Sequence, residues 1–164
     1  MIRAAVLLLM LLAGSAGAEE TSNLPQKDIK LEGPIQVTSK KMMVNNQEKI
    51  MVFDGEVNVV KGDLLMTSDH VKIHFRNKSM SAGQQEISVI EADGNVQVTR
   101  GSRHAKSEHA EYRQGDETVV LTGSPEGWDN QYRVSGTKMT IFLKEDRSIV
   151  EGSRVLFNPQ NQGP

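Results

Sequence analysis

The sequence predicts an all-β fold assembled from a repeated unit of short antiparallel strands. Three observations carry that prediction. Apolar and polar residues alternate at period two, as at Val57 and Val59 or Val96 and Val98, which puts one face inside and one in water. A signature of apolar and small residues recurs about four times along the chain. A glycine follows each copy at a regular distance, where a β-chain bends or turns. Helical spacing is absent over any long window.

The chain opens with a segment that is not part of the fold. Met1-Ile2-Arg3 is a short positive region, Ala4 to Leu12 is continuously apolar, and Ser15-Ala16-Gly17-Ala18 supplies small residues. This is the pattern of a cleavable secretory signal over residues 1–18. The apolar run falls far short of the ~20 residues that a membrane span needs. Residues 19–30 read as a lead-in, 31–157 as the folded domain, and 158–164 as a loose polar tail.

The repeat is visible in two ways. Asp54-Gly55-Glu56-Val57-Asn58-Val59-Val60-Lys61-Gly62 matches Asp93-Gly94-Asn95-Val96-Gln97-Val98-Thr99-Arg100-Gly101 in register, 39 positions apart. The second signature reads apolar, x, apolar, x, small, x, x, apolar, x, apolar. Its copies are Ile35, Val37, Ser39, Met42, Val44; then Leu64, Met66, Ser68, Val71, Ile73, continued by Phe75; then the weaker Arg103, Ala105, Ser107, Ala110, Tyr112; then Tyr132, Val134, Gly136, Met139, Ile141. Apolar residues precede the glycines by two places: Phe53 and Gly55, Ala92 and Gly94, Leu121 and Gly123, Val150 and Gly152. The unit is 29 residues, and one copy carries ten more near Asn77 to Glu86. That Ser-, Gly- and Gln-containing stretch reads as a longer loop.

Ser68 and Val71 are three residues apart, so the alternation slips by one there. An uncorrected slip would turn the rest of the strand to the wrong face. A bulge or sharp bend at the small residue corrects it. Each unit is therefore strand, corner, strand, turn. Stacked units make a solenoid or jelly-roll-like body with an apolar lining and open ends.

The bulk numbers exclude several functions. The chain of 164 residues has net charge −2, only 4% aromatic residues and no cysteine. There is no basic stripe for nucleic acid. Disulfides, thiolate metal sites and a lipidated cysteine are ruled out. No serine-nucleophile motif or phosphate loop occurs, and the acids form no glycosidase pair. His70 and His74 are four apart, but on a strand that is ~13 Å, too far to share an ion. No metal or other cofactor is expected.

With the repeat in hand, the sequence resembles the LptA (OstA-like) family of periplasmic lipopolysaccharide transport proteins. The resemblance runs over about residues 30 to 157. It is carried by Phe53 to Val71, Ala92-Asp93-Gly94-Asn95-Val96, Ala105 to Tyr112 and Val119 to Pro125. It implies an open, twisted β-jelly roll, no enzymatic activity, and a hydrophobic groove for the acyl chains of lipid A. It also implies a place in the periplasm between an LptC-like inner-membrane protein and an LptD-like outer-membrane protein, with head-to-tail homo-oligomers as a further assembly. The other reading is a secreted β-solenoid that is structural or carbohydrate-binding.

The inward apolar residues are the candidate groove lining: Val37, Met42, Val57, Val59, Met66, Val71, Ile73, Phe75, Val96, Val98, Met139 and Ile141. Each buried CH₂ is worth ~0.8 kcal/mol without directional demands, which suits acyl chains. Ile35, Val37, Val155 and Phe157 are the candidate docking edges, because end strands keep unpaired backbone groups. Lys61 and Arg100 share a repeat position and read as solvated turn charges, or else as groove-rim partners for phosphate. Asp69 and Glu108 share another and read as corner residues bonding to backbone. Trp128 lies in a turn-rich segment, as a lipid or partner contact or an end plug. Export gives a direct expectation: amino-terminal sequencing of periplasmic material starts at or near Glu19. Recovery of Met1 on a membrane-bound chain would contradict it.

Overall fold

The computed structural model describes residues 33–77 and 85–157, and the expected signal and tail lie outside them. Twelve strands and no helix occur among the described residues. They are β1 Gln36–Thr38, β2 Lys41–Asn45, β3 Ile50–Lys61, β4 Leu64–Asn77, β5 Gln85–Arg100, β6 Arg103–Arg113, β7 Thr118–Thr122, β8 Glu126–Trp128, β9 Tyr132–Ser135, β10 Lys138–Phe142, β11 Arg147–Glu151 and β12 Arg154–Phe157. All belong to one antiparallel sheet that folds over on itself. This is the open β-jelly roll that the resemblance implies.

The long strands β3 to β6 each cross a corner and serve two walls. The first wall runs β1, β3, β4, β5, β6, β8, β9, β12. The second runs β2, β3, β4, β5, β6, β7, β10, β11. Register makes each wall a ladder of matched inward residues. On the first wall the row is Val37, Val59, Met66, Val98, Ala105, Gly127, Val134, Val155. On the second it is Met42, Phe53, Val71, Ala92, Ala110, Leu121, Met139, Val150. The two halves of the signature thus lie on different walls, and in each row signature residues alternate with residues that flank the glycines. The core lies between the rows, with Val96, Val119 and Leu121 at 0% exposure.

The corners explain the slip in the sequence. Ser39, Ser68 and Ser107 each donate their hydroxyl to the carbonyl two residues on, at 2.9, 3.0 and 2.8 Å. The extra residue itself sits on the neighbouring strand, at Gly55-Glu56 and Gly94-Asn95, where register shifts between Asp54 and Val57 and between Asp93 and Val96. So the slip at the serine and the bulge at the glycine are two halves of one bend. Gly94 holds φ +78° and Gly123 holds φ +75°, left-handed conformations that favour glycine. Asp69 was expected to bond backbone. Its Oδ2 instead accepts from Asn95 Nδ2 at 2.7 Å, because Asn95 at φ 49° turns toward it.

Of the stretch expected as a loop, residues 78–84 lie outside the described residues. β4 continues to Asn77 and β5 begins at Gln85, paired Asn77↔Gln85, so both ends of the insertion lengthen a hairpin. Ser88 is a second bulge there, its hydroxyl donating to His74 O at 3.0 Å. The segment read as turn-rich around Trp128 is likewise a short strand, β8, because β6 and β9 pair with it on both sides.

A Cβ on Gly123 would lie 2.5 Å from Glu108 Cβ, a contact that a rotamer change cannot relieve. Gly123→Ala is expected to lower unfolding stability by about 2 kcal/mol or more, from strained φ and overlap together. Gly115→Ala, with nothing within 4 Å of its Cβ, is the near-neutral reference. Urea denaturation of both variants checks the difference.

Candidate functional site

The interior is closed in the middle of the stack and open toward its carboxy-terminal end. Between the walls at Val59, Met66, Ile90, Val98 and Val119 only about 10 Å³ is free, room for roughly one water. Farther along, a cavity of about 420 Å³ separates β6, β8 and β9 from β10 and β11. Its size falls in the ~300–1,000 Å³ range of small-ligand sites. Ala105 and Gly127, the smallest members of the first-wall row, border the cavity. Gly127 lets Met139 close in, since a Cβ there would lie 3.0 Å from Met139 Cε.

The cavity floor is apolar: Leu64, Val98, Ala105, Val134, Met139, Ile141 and Leu143. Its mouth is charged, with Arg100, Arg103 and Arg147 against Asp129 and Asp146. Arg103 crosses from the first wall to grip Asp146 at 2.6 and 3.0 Å. That contact is the main cause holding the Asp146 carboxyl below its ordinary range, and it raises Arg103 in turn. The backbone N–H groups of Gln131 and Tyr132 hold the Asp129 carboxyl low.

Lys61 and Arg100 are neither solvated turn charges nor free rim cations. Lys61 is 6% exposed, and its Nζ donates to Tyr112 Oη at 2.7 Å, with Glu117 Oε1 at 3.6 Å. Arg100 Nη1 donates to the Leu143 carbonyl at 2.9 Å, and its Nε reaches Asp63 at 3.2 Å. Both therefore bridge the first wall to the second. The inward phase of the strand carries each side chain to the mouth, where the opposite hairpin offers acceptors. Glu117 and Asp146 stand 29 positions apart, one repeat unit. That spacing could have marked them as partners, but sequence reasoning singled out only the cations.

The candidate lining residues divide by position. Val98, Met139 and Ile141 border the cavity. Val57, Val59, Met66, Val71, Ile73 and Val96 pack into the closed core, while Val37 and Phe75 are half-buried against it. Met42 departs from the expectation of a lining residue. It is 56% exposed, since its row ends there and nothing stacks beyond β2 among the described residues. Trp128 borders the cavity from the outer face. His104 stacks on it at 5.5 Å and Arg133 lies 5.4 Å over its ring. At the edges, Ile35 is half-buried, while Val155 and Phe157 are 42% and 78% exposed. Among the described residues β12 pairs only with β9 and β1 only with β3.

Known proteins share this architecture. The family model described as "LptA/(LptD N-terminal domain) LPS transport protein" matches residues 36–162. The chain belongs to that family. The crystal structure of LptH, described as the LptA homologous periplasmic component of the lipopolysaccharide transport device of Pseudomonas aeruginosa, superposes with a TM-score of 0.66. The match covers 77% of this chain and 96% of LptH at 14% identity, so it bears on the fold alone. An uncharacterized protein of Rhizobium meliloti (strain 1021), R00383, is 28% identical over 116 residues. That match takes in 69% of this chain and spans 62% of the length of the relative. Family membership places the apolar cavity in a fold used for lipopolysaccharide transport.

Proposed function

We propose that this chain is a periplasmic carrier that binds lipopolysaccharide by its lipid A acyl chains and relays it between membranes. The observation that carries the reading is the 420 Å³ apolar cavity at the open end of two continuous inward rows. Acyl chains need apolar volume without fixed partners, and Met139 supplies an adaptable wall. In this reading Val37, Val57, Val59, Met66, Val71, Ile73, Phe75, Val96 and Val98 become lining as the walls part, and Met139 and Ile141 are lining already. The chain performs no reaction. Its partners are an LptC-like protein at the inner membrane and an LptD-like protein at the outer membrane.

Hand-off uses the ends of the stack. Met42, Met43 and Val44 are exposed at one end, and Val155, Leu156 and Phe157 at the other. Backbone groups on the outer sides of β1 and β12 have no strand partner among the described residues. Strand addition there would continue both rows into a neighbour, a second copy or an LptC- or LptD-like domain. The exported chain is expected to carry lipid with acyl chains when isolated from an envelope fraction, detectable by mass spectrometry. Protein that comes out empty would favour the structural or carbohydrate-binding alternative, which the packed centre of the stack also fits.

Two substitutional outcomes follow. Ile141→Asp puts a charge on a half-buried cavity wall rather than in the sealed core. Acyl-lipid binding is expected to fall tenfold or more, on the order of the cost of a charge in an apolar site, with circular dichroism unchanged. Truncation after Gly152 removes β12. Light scattering should then show weaker concentration-dependent assembly, while lipid binding per monomer persists. Intact assembly together with lost lipid binding would move β12 from the junction to the groove.

A further inference from the structure

We infer that the cavity mouth is a phosphate-binding site for the head of an anionic amphiphile, formed when the ligand's oxygens replace Asp146 on Arg103. This rests on the carrier reading of the same cavity and adds its head-group chemistry and the residues that recognise it.

The guanidiniums at the mouth are unequally served. Arg100, Arg103 and Arg147 border the cavity with Asp129 and Asp146, and Asp63 and Glu145 pair with Arg100 and Arg147. Asp146 serves two of the three, at 2.6 Å from Arg103 Nη1 and 3.9 Å from Arg100 Nη1. Arg100 Nη2 is buried with no hydrogen-bond partner, so this fork keeps an unspent donor. A phosphate monoester brings close to two charges and three acceptor oxygens. It can therefore engage two forks where one carboxylate is stretched between them.

The wall-to-wall contacts of Lys61 and of Arg103 differ in a way that favours exchange at Arg103. Lys61 is buried and bonded to Tyr112 inside closed packing. Arg103 and Asp146 have side chains 57% and 47% exposed. An exposed ion pair is worth little against water, so a better anion displaces it without unpacking the core. The displaced pair also unties the walls at the cavity mouth. Behind the mouth lie Val98, Val134, Met139 and Ile141, which place an apolar tail within reach of the same ligand. A free phosphate would leave that surface uncovered, so the site fits a lipid head and its chain together.

The test follows the fluorescence of Trp128, the one tryptophan of the chain, which borders the cavity. The full mature chain is titrated with monomeric dodecyl phosphate, with dodecanol and with inorganic phosphate. Dodecyl phosphate is expected to bind about tenfold more tightly than dodecanol, the scale of one charge-assisted hydrogen bond. Added salt should narrow that preference. Arg103→Gln should abolish it, and Asp146→Asn should enlarge it by removing the competitor. Arg113→Gln, on the outer face of the second wall beside Glu111, should leave it unchanged. Equal binding of the two dodecyl compounds overturns this inference and leaves the carrier reading standing. Binding of neither overturns both. A fall in both Arg103→Gln and Asp146→Asn would make the pair merely structural, and inorganic phosphate binding as tightly as dodecyl phosphate would make it a free-anion site; either result overturns the inference.

Discussion

The corner is the constraint on which the rest of this structure depends. A strand that crosses from one wall to the other must bend while keeping its apolar side chains inward. The serine on one strand and the glycine pair on the next solve this together. Serine slips the alternation by one, and the positive-φ pair adds one residue opposite. The hydroxyl of each serine closes the bend onto its own backbone. If the phase were lost, Val71, Ile73 and Tyr112 would turn to water. Each such side chain is worth ~1.5–3 kcal/mol when buried. The fourth corner shows the tolerance. Gly136 replaces serine because a Cβ there would meet the Glu151 carbonyl oxygen at 2.5 Å.

Given fixed corners, the distance between the walls is set by side-chain volume in the facing rows. Valine, isoleucine, leucine and methionine fill the middle to exclusion. The cavity appears in the last unit, bordered by Ala105 and Gly127, the smallest members of the first-wall row. Lys61 and Arg100 then tie the free lips of the walls together, on the side away from the corners. Burial of these two cations is tolerated because each finds acceptors across the gap. The result is a body rigid at the corner, sealed at the centre and loosely fastened at one end of its mouth. That graded closure gives the proposed carrier a place where a chain can enter without global unfolding.

The ends follow from the same geometry. A repeat stack cannot pair its own first and last strands, so among the described residues β1, β2, β11 and β12 each have a partner on one side only. Proteins usually blunt such edges with charge, proline or a bulge. Here Met42, Met43 and Val44 at one end and Leu156 and Phe157 at the other are exposed among the described residues. The ordered inward rows run to those ends, so any partner strand in register continues the lining.

The repeat period, the alternation and the glycine spacing were enough to establish an all-β stack, its corners and its inward rows. These are local properties: period two and a required φ leave marks within ten residues. The resemblance carried by the same motifs named the family that the match over residues 36–162 shows. What the sequence left open depends on distances between residues far apart in the chain. Whether an inward valine seals a core or lines a cavity depends on what faces it from the other wall. Val98 and Met66 are cross-strand partners, yet only Val98 borders the large space. Lys61 and Arg100 looked like surface charges because glycine turns follow them. Only folding the sheet brings Tyr112, Glu117 and Leu143 within their reach. The insertion read as a loop because its middle lacks alternation, while cross-strand pairing extends order into both its ends. Period and bend are written residue by residue; wall separation and the pairing of charges across it exist only once the two walls face each other.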